Sequence, residues 1–305
     1  MSASSRSSAL ASSAAPDRRF ARKKWANGLG ADPWGFLLVS PALLLLLALF
    51  AVPAVNSVLG ALRDAQGAPS LEHLRTAFEL YGRDILFTAW LVLLSVAVIA
   101  ALAVLIAGYL TLGSNHVAVR LLAWLYRWPL FVPMICAAQM MRSFLAKNGL
   151  LNNALIAGGA LTPGTATGLL DWRGILITFT WKQLPFVTLL VAGAMASLDR
   201  GFIEAARNLG AGRVRVLVGI VLPLVRGPLL VASVLTFVTL MSVLSVPMML
   251  TADSPTMITV DMAYRVNTFA DYGTADALGL ISYVMTMAVG WIYLRDAGRQ
   301  RRMGS

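Results

Sequence analysis

Only 13% of the 305 residues are Asp, Glu, Lys or Arg, so groups able to do chemistry are few. Two histidines, His73 and His116, lie far apart, and the one cysteine, Cys136, sits in an apolar run. This inventory offers no thiol pair, no Cys/His spacing for a metal and no Ser/His or Cys/His set for nucleophilic catalysis. It contains no Gly-x-x-x-x-Gly-Lys-Ser/Thr phosphate loop; Pro163-Gly164-Thr165-Ala166-Thr167-Gly168 lacks the lysine and reads as a turn. What remains is of two kinds. Isolated polar side chains interrupt long apolar runs: Gln139, Lys182, Gln183, Ser242 and Ser245. Such groups usually face a cavity or a neighbouring helix, which makes them candidates for the path of a polar solute. The second kind is a polar, Arg-rich island at 198–225, which must reach water.

The elements that position them are membrane helices. The chain is 58% hydrophobic, with a mean hydropathy of +0.74, whereas soluble domains carry about a quarter charged residues. A span needs about 20 mostly apolar residues, and such runs fall at 33–62, 85–110, 121–145, 174–197, 226–250 and 277–294. The first is too long for the apolar core of a cleaved signal peptide. The third holds Arg127 and Arg142 near its ends, where long side chains can snorkel to the interface. The expectation is an all-α integral membrane protein with six transmembrane helices. Residues 1–32 read as a disordered basic tail, 63–84 as a loop, 85–294 as a core of five helices and 295–305 as a second basic tail.

Orientation follows from the basic residues. Arg6, the five at 18–24, Arg120, Arg127, the arginines from Arg200 to Arg226 and those from Arg295 to Arg302 fall on one side of a six-span chain. Arg63, Arg75, Arg83, Arg142, Lys147, Arg173 and Arg265 fall on the other. The excess places both termini, and the island, in the cytoplasm. It also accounts for the net charge of +11 without a nucleic-acid partner. The loops 63–84, 146–173 and 251–276 then lie outside. Ser233, Thr236, Thr239, Ser242 and Ser245 recur every three residues, which spirals around a helix and suits helix crossing; Ser242 and Ser245 are the better cavity candidates. Lys182 reads either as a snorkelling side chain or as a substrate or gating group.

Within the island, Gly201 to Asn208 reads as a short helix with Glu204 near its positive end. Ala205 and Ala206 leave room for another surface to approach, and Gly210 and Gly212 permit a reversing turn. An apolar-rich helix follows to Leu222, with Pro223 at the entry to the next span. By composition alone this could be an interfacial loop with its arginines on lipid headgroups.

The spacing points further. Glu204-Ala205-Ala206, Gly210, Ile220 and Leu222-Pro223 resemble the EAA loop of permease subunits of binding-protein-dependent ABC importers. Gly149-Leu150-Leu151-Asn152 after span three and Trp181…Pro185-Phe186 in span four fit the same family. The resemblance implies a coupling helix between helices four and five, seated on a separate ABC ATPase dimer that binds ATP and Mg, so this chain is neither an enzyme nor a cofactor carrier. It implies an inner-membrane subunit that forms half of a pathway, with a second permease (a heterodimer), a solute-binding protein and the lipid bilayer as partners. Leu209 looks like the spermidine/putrescine-type group, whereas Asp271-Tyr272-Gly273 looks like permeases for sugars, polyols or glycerol phosphates. A secondary carrier or an intramembrane enzyme would want carboxylates within the spans, which the runs as drawn lack.

Overall fold

The computed structural model describes residues 33–64, 66–251 and 254–303; the expected 1–32 tail lies outside them. The chain divides after Asn56 into two units, taken separately. In the first, helix α1 (Pro33–Leu46) passes through a π turn at Leu47–Ala51 into α2 (Val52–Ala61). A second π turn, Leu217–Val221, lies in the other unit. Each ends two residues before a proline, Pro53 and Pro223. A proline lacks the N–H that would bond four residues back and its ring crowds that carbonyl, and a widened turn accommodates both.

The second unit is a bundle. It comprises α3 (Glu72–Leu112), α4 (His116–Leu125), a 3-10 turn at Trp128–Phe131, α5 (Met134–Leu145), α6 (Leu150–Ala157), α7 (Trp172–Ala196) and α8 (Arg200–Asn208). There follow α9 (Arg213–Val216), α10 (Leu222–Met241), α11 (Ser245–Leu250), α12 (Ile258–Phe269) and α13 (Tyr272–Met303). The described residues contain five helices long and apolar enough to cross a membrane, or six if the bent pair His116–Phe131 and Met134–Ala157 counts as one. The sequence reading of an all-helical, multi-span protein is therefore met.

Helix α3 packs most extensively on α7, and α10 packs on both. The contact faces repeat every four residues: Ile99, Ala103 and Ala107 on α3, and Ile175, Phe179, Val187 and Val191 on α7, all essentially inaccessible. This is the ridge spacing of helices packed at close range. Lipid tails are as apolar as the side chains, so the association rests on contact quality, and small residues let the backbones approach. Gly108 of α3 is one: a Cβ there would lie 2.8 Å from the Leu217 side chain. A second, smaller core joins Ala61, Ala77, Ile85, Ile258, Ala277, Leu278 and Ile281.

Several boundaries differ from the sequence reading. Helix α3 begins at Glu72, so most of the expected 63–84 loop is helical. Its charged first turns lower hydropathy without preventing a helix, and Ala77 packs into the second core. The expected third span at 121–145 is not one rod; it bends by 107° between α4 and α5, where Pro129 and Pro133 interrupt the backbone pattern. The expected 226–250 span begins at Arg213, as part of a continuous helical run to Met241, and α11 is a separate element. The island is thus not a helix–turn–helix lying apart from the bundle, since its second half is the start of a span. The 251–276 loop contains α12, and the last helix runs Tyr272–Met303 rather than 277–294.

Replacing Gly108 by Ile should push the Leu217 segment away from α3. The expected cost is about 1–3 kcal/mol, seen as a lower melting temperature of the detergent-purified chain.

Candidate functional site

The island forms α8, a turn and the base of the long run ending in α10. Asp199 caps α8, its carboxylate accepting from the Gly201 N–H at 2.9 Å; the anion at the positive helix end is therefore Asp199 and not Glu204, which sits a turn further on. At the other end Ala211 N–H donates to Ala206 C=O at 3.0 Å and Gly210 N–H to Arg207 C=O at 2.9 Å. These paired bonds close a helix around a residue of positive φ. Gly210 is that residue, at φ 82°. Ala, or any larger side chain, is strained there.

The helix has two faces. Ile203 and Ala206 pack toward the main core together with Leu198 and Ala211. Glu204 and Ala205 point outward, and so do Phe202, Leu209 and Val214, at 59%, 89% and 75% exposure. This corrects the expectation that both alanines serve an incoming surface: Ala206 lets α8 approach its own bundle, and Ala205 alone faces outward. Arg207, unassigned by the sequence reading, fixes α8 to the end of α3, donating from Nη2 to the Leu112 carbonyl at 3.2 Å. Arg213 Nη2 donates to Ser114 Oγ at 2.9 Å. Ile220 and Leu222 are half-buried in the helical run, and Pro223 is exposed on it. The structure thus brings Glu204, Ala205, Ala206 and Gly210 into one small element and places Ile220, Leu222 and Pro223 on the rod it adjoins.

The solute-path candidates do not converge on one point. Gln139 lines a cavity of about 510 Å³ with Met140, Met141, Ser143, Phe144, Leu150 and Trp181. Lys182, next to Trp181, turns elsewhere: its ammonium donates to the carbonyls of Pro129 at 2.9 Å and Leu130 at 3.4 Å. These carbonyls lie at the bend, where the helical partners run out, so Lys182 caps the break. Gln183 is half-buried on the same helix. Ser242 spends its hydroxyl on Thr239 C=O at 2.9 Å, at the end of α10. Ser245 opens α11, half-buried; α11 packs on α5, the helix of Gln139. Ser233, Thr236 and Thr239 donate to carbonyls four residues back, each at 2.8 Å, so their hydroxyls need no partner across the helix. Asn152 is a brace for the loop after the bend, its Nδ2 donating to Lys147 and Thr167 carbonyls at 2.9 Å.

Among the described residues no group of three or more His, Cys, Asp or Glu is placed to hold a metal ion. Comparison with known proteins places this arrangement. Residues 34–295 match the family described as binding-protein-dependent transport system inner membrane component. The chain belongs to that family. Its members are multi-pass inner-membrane transport components, not enzymes.

Among inner membrane components of this kind, the sulfoquinovosyl glycerol transport system permease protein SmoG of Agrobacterium fabrum is 29% identical over 128 residues, 41% of this chain and 42% of that protein. The trehalose/maltose transport system permease protein MalF of Thermococcus litoralis is 29% identical over 181 residues, 57% of this chain and 60% of that one. The spermidine/putrescine transport system permease protein PotB of Escherichia coli is 27% identical over 135 residues, 43% and 49%. The chain thus spans about half the length of these relatives. A chain of a bacterial alginate ABC transporter, crystallised with an alginate pentasaccharide-bound periplasmic protein, shares the fold, with a TM-score of 0.72 at 18% identity over 90% of this chain and 94% of that one.

Replacing Lys182 by Met should remove the ammonium donor from both carbonyls, leaving Pro129 C=O only its 3.3 Å bond from the Val132 N–H. A loss of about 1–2 kcal/mol is expected, restored largely by Arg, with thermal melting of the purified wild type, K182M and K182R as the measurement.

Proposed function

We propose that the chain is the permease subunit of an ABC importer and forms half of the pathway for a small polar solute. The observation that carries this reading is α8. It is clamped to the bundle by Ile203, Ala206 and the Arg207–Leu112 bond, yet presents Glu204, Ala205, Phe202 and Leu209 outward. Large apolar side chains such as Phe202 and Leu209, exposed beside charged ones on a firmly seated element, suit a protein cover. In this reading it is the coupling helix between the fourth and fifth spans, on the cytoplasmic side with both termini, and its cover is a separate ATPase dimer that supplies ATP and Mg. The excess of basic residues on that side supports the orientation. A second permease, in a heterodimer, completes the channel, and an extracytoplasmic solute-binding protein delivers the cargo; the periplasmic protein bound in the alginate transporter is the analogous arrangement.

Two cargo classes are supported by different observations. The cavity beside Gln139 and Trp181 offers an amide, a hydroxyl, an aromatic face and no carboxylate. That chemistry suits a neutral sugar or polyol, such as the trehalose and maltose named for MalF. Leu209 and the similarity to PotB support a polyamine-type solute. A polyamine is a multiple cation and would want carboxylates along its path.

Glu204→Lys and Gly210→Leu should each abolish transport while leaving the chain inserted. In the reconstituted complex, substrate-stimulated ATP hydrolysis should fall at least tenfold; normal stimulation in either variant would refute the coupling role. For the cargo, Gln139→Ala should raise the KM for uptake of a disaccharide or polyol several-fold. Uptake of spermidine by the wild type, with no sugar uptake, would select the polyamine reading instead.

A further inference from the structure

The start of α12 is held in an unusual way. Its first turn has free backbone N–H groups, as every helix does, and α3 supplies the acceptors. Thr256 N–H donates to Asp84 Oδ1 at 2.8 Å, and Ile258 N–H to Thr88 Oγ1 at 2.9 Å. Thr88 in turn donates to the Asp84 carbonyl at 2.7 Å. The Thr256 hydroxyl reaches a second carboxylate, donating to Asp261 Oδ1 at 3.2 Å. One residue, Thr256, therefore bridges two acids, and both are more than nine-tenths buried, Asp84 at 7% exposure and Asp261 at 8%.

Two buried carboxylates cannot both stay charged cheaply. The nearby Arg265 offsets the burial of Asp261 only in part. Arg265, on α12 itself, donates from Nε to Tyr81 OH at 2.6 Å and pairs with Asp271 through Nη1 at 3.2 Å. His73 of α3 lies against Gly273, close to Asp271. Asp276 of α13 accepts from Ser57 at 2.6 Å. Neither Asp84 nor Asp261 is in an ion pair among the described residues. Asp84 receives the short backbone bond from Thr256 N–H. Asp261 has one longer bond, and its Oδ2 is buried with no partner at all. Among the described residues no third His, Cys, Asp or Glu joins the two acids to hold a metal ion.

We propose that the buried Asp261 carboxyl carries a proton in the folded chain and gives it up as pH rises, so that the clamp of α12 on α3 tightens in acid and loosens in base. Burial first, and the Asp84 charge second, push the Asp261 carboxyl up to about 7 from the ordinary 3.8. The sign follows from proton counting. Between those two values the folded chain holds a proton that the unfolded chain has lost. Stability must therefore fall as pH rises from about 4 through about 7, and stay reduced above that. The segment concerned includes the loop leading into α12, where Ser254, Pro255 and Thr251 line a small cavity of about 140 Å³ with Asp171 and Trp172.

The test is thermal melting of the full-length purified protein between about pH 5.5 and about pH 8.5, in wild type and Asp261→Asn. The proposal expects the wild type to melt lower at the alkaline end by several degrees, and the Asn variant, uncharged throughout, to lose most of that dependence. At the alkaline end the variant should melt above wild type by about 2–4 °C. An equal slope in both proteins overturns the idea. So does recovery of the wild type at alkaline pH on adding sodium or calcium chloride, beyond what potassium chloride gives, since the site would then take a cation. Should the variant fail to insert, the infrared carboxylic-acid band of the wild type decides. A band present in acid and lost by about pH 8.5 supports a proton on Asp261, and a band that does not change refutes it.

Discussion

Hydrocarbon offers no hydrogen-bond partner, so every backbone N–H and C=O within a span must be met by the protein. Regular helix does this by itself; the interest lies wherever the helix is interrupted. Two prolines are accommodated by widening the preceding turn, at Leu47–Ala51 and Leu217–Val221. A bend of 107° is patched by an ammonium group from a neighbouring helix, Lys182 on Pro129 and Leu130. The start of α12 borrows its acceptors from Asp84 and Thr88 of α3. Hydroxyls that would otherwise be liabilities fold back on their own helices. Most of the polar side chains within the apolar runs are thus spent on repairing backbone, and few are left over for a solute.

The same constraint shapes the island. Because the helical run from Arg213 is continuous with the span to Met241, α8 is the peripheral element of the island, nine residues held by one buried face, the Arg207 contact and the Gly210 turn. That economy suits a part that must be both firmly seated on its bundle and open to a second protein. Its outward face sets Phe202 and Ala205 beside Glu204, while its seating is the packing of Ile203 and Ala206 plus the Arg207 bond to the Leu112 carbonyl, so the two jobs fall on different residues of one short helix.

Much of this was legible from residue types. Apolar runs gave the spans, the Glu204–Pro223 spacing gave the family, and Gly210 announced the positive φ. What hydropathy could not convey was direction and continuity. A window average scores α4 and α5 as one span because it ignores the angle between them, although Pro129 and Pro133 mark the break. It scores Glu72 to Arg83 as loop because charge lowers the mean, although Leu, Glu, Ala and Arg are good helix formers. Lys182 looked like a solute or interface group because its partners are carbonyls, which carry no signature in the sequence. Asp84 and Thr256 are 172 positions apart, a distance over which one sequence says nothing of contact.

The length of α3 carries a mechanical consequence. At 1.5 Å per residue its 41 residues make a rod of about 60 Å, about twice the hydrocarbon thickness. One end is gripped by Arg207 of α8, and Asp84 and Thr88, about 12 and 6 Å beyond the middle, grip the start of α12. Such a rod acts as a lever: a tilt of about 10° about its middle displaces each end by about 5 Å. A movement imposed at the α8 end would thus arrive at the far end equal in size and opposite in direction, without any rearrangement inside the helix.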